Sequence, residues 1–131
     1  MNDLYKKLEA KIQSAYEEGT TLEAAERLAS EFLYAQIQVS QELQKLDLSA
    51  RMRKSGVKAV RGAIYLDIVQ KAEKKPTEAQ IGAMVDTDEI VNGEQKALDE
   101  AESERDAMER FFSIFQNAHI HFRSVSRGKF E

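Results

Sequence analysis

A chain of 131 residues, 32% charged and 42% hydrophobic, fits one domain with a modest core and has the ordinary composition of a soluble, helix-rich protein. The absence of cysteine excludes a disulfide framework, a thiolate zinc site and a cysteine nucleophile, and one proline with six glycines is too few for a loop-rich β fold. Net charge is −4, yet residues 51–75 carry eight basic and two acidic side chains while residues 76–118 carry three basic and eleven acidic, an asymmetry that points the internal segment at an anionic partner.

The first helix is expected over residues 3–18, where Leu4, Leu8, Ile12 and Ala15 recur at helical spacing and Gly19 suits the left-handed position after its end. Thr20 and Glu23 have capping-box spacing and open a second helix. Its seam reads Leu22, Ala25, Ala29, Phe32, Gln36, Val39, Leu43 and Leu46, steps of three and four with one polar member. Asp47 and Ser49 mark a break or kink. A basic third helix follows over residues 50–72, with Met52, Val60, Ile64 and Ile68 as its apolar side and Gly56 and Gly62 inside it. Lys74-Lys75-Pro76 is the clearest interruption. Thr77 with Gln80 caps a short helix, and Asp86 with Glu89 opens a long last helix over residues 88–125. Its seam is Val91, Leu98, Ala101, Met108, Phe112, Phe115 and Phe122, with Glu94, Arg105 and His119 as polar members. The fold expected is all-α: one domain over residues 1–131, an antiparallel helical hairpin or bundle with long helices from both ends of the chain, and oligomeric.

The end of the last helix motivates the oligomer. Phe111, Phe112, Ile114 and Phe115 cover most of its circumference, more than one intramolecular face absorbs. Met108, Phe111, Phe112, Phe115 and Phe122 are therefore read as an interface between copies. Arg123, Arg127 and Lys129 follow as a weakly basic tail, which frays after Ser126.

The candidate site is a basic stripe. Arg51, Lys54, Lys58 and Arg61 step by three, four and three, share one side of a helix at ~100° per residue, and lead to Tyr65 one turn on. No acid lies between Arg51 and Arg61. A phosphate backbone would relieve their mutual repulsion and release counterions, and an aromatic side chain beside them can stack on an unpaired base. The competing reading is a solvated face, or one neutralised by the acidic last helix, with Tyr65 as ordinary packing. Enzyme chemistry finds little support. His119 and His121 diverge by about 200° on a helix, and no Glu-x-x-His pair is present. Glu23 with Glu26 and Asp99 with Glu102 have the spacing of pyrophosphatase motifs, but such acids are common on solvated helices. No cofactor is expected.

The stretch Lys58-Ala59-Val60-Arg61-Gly62-Ala63-Ile64-Tyr65, then Thr77-Glu78-Ala79-Gln80-Ile81 and Asp86-Thr87-Asp88 ahead of a long terminal helix, resembles the UvsY family of phage recombination mediators. The likeness covers roughly residues 22–131, in order and character more than identity. It implies single-stranded DNA binding, with the family's basic contacts falling on Lys58 and Arg61. It also implies ring assembly through the C-terminal region, and partnership with a RecA-class recombinase and a single-strand-binding protein. The net acidity of this chain would make avidity in such an assembly important. Two other readings stand beside it: a helical structural or adaptor protein that binds another protein, and an oligomer that binds a small anionic ligand such as a nucleotide. The start of the chain lacks the apolar stretch of a signal peptide, and no apolar run nears the ~20 residues of a membrane span. The expected location is the cytoplasm, that of the host cell for a phage protein.

Overall fold

The computed structural model describes residues 2–128. Lys129, assigned above to the basic tail, lies outside them. Among the described residues there are four helices and no strand: α1 (Asn2–Glu18), α2 (Leu22–Lys71), α3 (Glu78–Asp86) and α4 (Glu89–Ser126). The all-α reading holds, and the two long helices α2 and α4 pack against each other as a hairpin. No helix among the described residues is long and apolar enough to cross a membrane.

One helix, α2, stands where the sequence suggested two. Its 50 residues run through Asp47 and Ser49 without a break, a length of about 75 Å at ~1.5 Å per residue. Asp47 is consumed inside the helix by an ion pair with Arg51, 3.0 Å away and one turn on. Such a pair supports a helix by a few tenths of a kcal/mol and removes the local competition that makes aspartate a breaker.

The helix ends use local chemistry. Gly19 stands at φ +77°, the left-handed residue that stops α1. The cap of α2 is Thr21, whose hydroxyl accepts from the Ala24 amide at 3.1 Å, one residue later than the Thr20 expected. Thr77 and Gln80 form a complete reciprocal capping box on α3. The cap of α4 is Asp88 rather than Asp86, with the Asp88 carboxylate accepting from the Ile90 and Val91 amides at 2.8 and 3.1 Å. At the other end, the amides of Arg127 and Gly128 still bond back to α4, so residues 127–128 form a capping turn; the rest of the tail expected to fray lies outside the described residues.

The chain forms two compact units, Met1–Gln44 with Asp106–Glu131, and Lys45–Arg105. The first has an aromatic core. Tyr5, Phe32, Phe111, Phe115 and Phe122 are all at most 2% exposed. Phe115 meets Phe32, Phe111 and Tyr5 at centroid distances of 5.7, 5.9 and 5.8 Å, and Phe32 stacks on Phe122 at 5.8 Å. Pairs at these distances add about 0.5–1.5 kcal/mol each beyond area burial. The interface reading of Met108, Phe111, Phe115 and Phe122 is corrected here. These side chains are buried within the single chain, because α1 and α2 both pack on this end of α4 and between them cover it. Phe112 is half-buried.

Four seam positions also shift by one residue. Ala35 is buried where Gln36 was expected, Phe111 where Phe112 was, Ala118 where His119 was, and Tyr5 where Leu4 was. His119 instead donates from Nδ1 to the Ala29 carbonyl at 2.9 Å, while His121 packs on Tyr16, so the two imidazoles do diverge. Burial raises the Tyr5 phenol to about 12, with Glu42 beside it contributing a hydrogen bond and its charge.

In the second unit Ile81 and Val85 of α3 and Val91 of α4 are buried, with Val60, Ile64 and Ile68 of α2 packed on them. Val57 joins the buried side of α2, whereas Met52, placed there by the sequence, is 67% exposed.

Two outcomes follow from this core. Phe115→Ala should cost about 3–5 kcal/mol in denaturant unfolding, as a loss of stability at any protein concentration. The same value measured only where the protein is concentrated enough to assemble would restore the interface reading. Since the Tyr5 pKa is raised on folding, its stabilising contribution is complete below the ordinary value of 10 and is lost as pH rises through about 12. Stability measured from pH 9 to 12 should fall less in Tyr5→Phe than in the parent.

Candidate nucleic-acid interface

All five stripe residues lie on α2 within the second unit. The stripe borders the buried side of the helix: counting 100° per residue from Val57, the five positions fall between about 40° and 120°. They therefore share a side, but the structure divides them into two groups.

Lys54 and Lys58 are exposed, one turn apart, and among the described residues neither has an ion-pair or hydrogen-bond partner. Arg51, with a side chain 77% exposed, is held only by Asp47 of its own helix. Two exposed charges in water gain at most about 1 kcal/mol from such a pair, so this arginine is readily shared.

Arg61 and Tyr65 are engaged with α3. The Arg61 guanidinium donates to Asp86 Oδ1 at 2.7 Å, at the last residue of that helix. The Tyr65 hydroxyl donates to Glu78 Oε1 at 3.0 Å, at its first residue. The hydrogen bond to Glu78 is the main reason the Tyr65 phenol sits above its ordinary pKa, followed by the Glu78 charge and partial burial. The ring of Tyr65 packs beside the Ile81, Val85 and Val91 cluster. These two residues clamp the two ends of a short helix onto α2. The clamp is antiparallel by construction: the earlier α2 residue takes the later α3 residue.

The sequence reading missed Glu78 and Asp86. Their signal was present, two acids bracketing one short helix just after a break that returns the chain toward the stripe. The neutralising acids come from α2 itself and from α3. No stripe residue pairs with a carboxylate of α4 among the described residues. Two of the α4 acids pair within α4 itself: Glu102 with Arg105, and Asp99, which accepts from Gln95.

A cavity of about 360 Å³ lies where α3 meets α2, lined by Arg61, Gly62, Tyr65, Glu78, Gly82 and Val85. A nucleotide phosphate here would meet the Glu78 carboxylate, and an arginine already spent on Asp86, so the cavity is poorly matched to a small anion. No group of three or more His, Asp or Glu side chains among the described residues could hold a metal ion.

The clamp makes a spectroscopic statement. Ultraviolet titration of the tyrosines should show, besides the Tyr5 component, a second one shifted upward that returns toward 10 in Glu78→Gln. In denaturant, Arg61→Ala should cost no more than about 1 kcal/mol, against about 2–5 kcal/mol for Ile81→Ala, because the pair is half in water and the isoleucine is fully buried.

No known protein family, curated protein or solved structure matches the chain.

Proposed function

We propose that the chain binds single-stranded DNA as an accessory factor of recombination, in the manner of the UvsY family that its sequence resembles. The observation that carries the proposal is the pair Lys54 and Lys58, exposed one turn apart on α2 without a carboxylate partner among the described residues. Arg51 extends the pair by one turn, and its hold on Asp47 is weak enough to exchange for a phosphate. The strand follows this line of cations by charge and counterion release, with little sequence preference.

Arg61 and Tyr65 take a secondary place in this reading. Arg61 contributes when a phosphate displaces Asp86, and Tyr65 contributes stacking only if its ring leaves α3. A short cationic line on a chain of net charge −4 gives modest affinity to one subunit, so several subunits on one strand supply the rest. The interface between them uses side chains outside the aromatic core, since those phenylalanines are spent inside the chain. A RecA-class recombinase and a single-strand-binding protein are the protein partners, in the cytoplasm.

Fluorescence anisotropy of a labelled single-stranded oligonucleotide, titrated at several salt concentrations with a duplex control, tests the reading. Binding should prefer the single strand and weaken steeply with salt. Lys54→Glu with Lys58→Glu should weaken it by about tenfold or more and reduce the slope of log K against log salt by about 1.4, two phosphate contacts at ~0.7 each. Arg61→Ala should have a smaller effect than either lysine change. Undiminished binding by the double variant would remove the site, and no binding at low salt by folded protein would remove the function.

A further inference from the structure

Leu48 and Met52 are among the most exposed large apolar side chains of the second unit, at 60% and 67%. They wall a groove of about 490 Å³ between α2 and α4, with Gly56 on its α2 side and Glu94 of α4 beside it. An added Cβ at Gly56 would come within 3.8 Å of the Glu94 carboxylate, so the two helices run close here and the groove is shallow. Ser49 lines it too, and Lys45 and Arg53 complete the lining. They stand eight residues apart, about 12 Å along the helix, one at each end of the Leu48 and Met52 wall. Among the described residues neither has an ion-pair partner, and Glu94 has none either.

Leu48 and Met52 stand side by side on the wall of a groove, the setting in which the apolar face of a helix seats. The charge around them states the chemistry of the occupant. Two unpartnered cations bracket this apolar strip and one carboxylate opposes them, so the rim is net positive. We infer that this groove docks an amphipathic helix of a protein partner, with apolar side chains seated against Leu48 and Met52 and carboxylates reaching Lys45 and Arg53. An anionic bilayer fits less well, because the surface is concave and the chain as a whole is negative. The groove lies on the other side of the buried face of α2 from Lys54 and Lys58, at about 180° to 320° from Val57 by the same count. It is thus separate from the proposed DNA contact and survives the failure of that reading.

The probe is a set of fluorescein-labelled synthetic helices of roughly 18 residues, each with one leucine stripe. The flanks are Glu, Gln or Lys, and the stripe is set in several registers. The Glu-flanked helix should bind, the Gln-flanked helix should bind roughly tenfold more weakly, and the Lys-flanked helix should not bind. Leu48→Gln with Met52→Gln, and separately Lys45→Glu with Arg53→Glu, should each weaken the Glu-flanked helix by about tenfold or more. All four side chains are exposed, so circular dichroism should report parent-like helix content. Lys54→Glu with Lys58→Glu should bind the helix as the parent does. The inference is overturned if no Glu-flanked register binds, or if the Lys-flanked helix binds equally well. It is also overturned if Leu48→Gln with Met52→Gln binds undiminished. Binding of phosphatidylglycerol vesicles without helix binding would assign the surface to a membrane. Loss of self-association in Leu48→Gln with Met52→Gln, without helix binding, would assign it to a second copy.

Discussion

The surfaces of the second unit depend on which side of α2 is buried there. A helix of 50 residues presents its whole circumference, and one packed face takes only part of it. With 3.6 residues per turn, fixing which side is buried fixes what every other residue faces. Val57 buried places Lys54 and Lys58 beside the packed face, and Leu48 and Met52 nearly opposite it. A break at Asp47 would have freed the basic segment to rotate and pack its own apolar side, Met52 included. The Asp47–Arg51 pair, small as it is, lies at the point where that alternative would begin.

The aromatic end of α4 follows a different logic. Its phenylalanines cover more than one side of the helix, which is usually a sign of a second chain. Here a third helix of the same chain answers it. Tyr5 of α1 and Phe32 of α2 approach from separate directions, and each meets Phe115 within 6 Å. Counting apolar residues around one helix gives the number of neighbours it needs, and says nothing about whether they come from the same chain.

Legibility in the sequence tracked the range of the interaction. Local devices were readable: Gly19 as a stop, Thr77 with Gln80 as a full capping box, and the helical character of every long segment. Neighbouring polar residues competing for the same cap were separable only to within a residue or two, as with Thr20 against Thr21 and Asp86 against Asp88. Of the four seam positions that slipped by one, two did so where an alanine competed with a larger neighbour. Ala35 and Ala118 are buried because small side chains let helices approach, a reason that a hydrophobic count ranks too low. The basic stripe was readable as a stripe. Its division was not, because Asp86 and Glu78 reach Arg61 and Tyr65 across 25 and 13 residues of chain that first turn back on themselves.

That division decides what an incoming polyanion would encounter. The acid-rich α4 makes no pair with the stripe among the described residues, so the bulk of the negative charge does not compete for it directly. The competitors are Asp47 at Arg51 and Asp86 at Arg61, each holding an arginine that keeps a large part of its side chain in water. An exposed ion pair is worth at most about 1 kcal/mol. A phosphate that replaces such a carboxylate trades one charge-assisted contact for a similar one and gains the released counterions besides. Displacing Asp86 should not undock α3, since Ile81 and Val85 are held by apolar packing against α2 and not by that pair. The clamp can therefore open at its charged end while its apolar contacts stay closed. Arg61 would then join Lys54 and Lys58 in one line, at a cost smaller than the loss of any residue in the core.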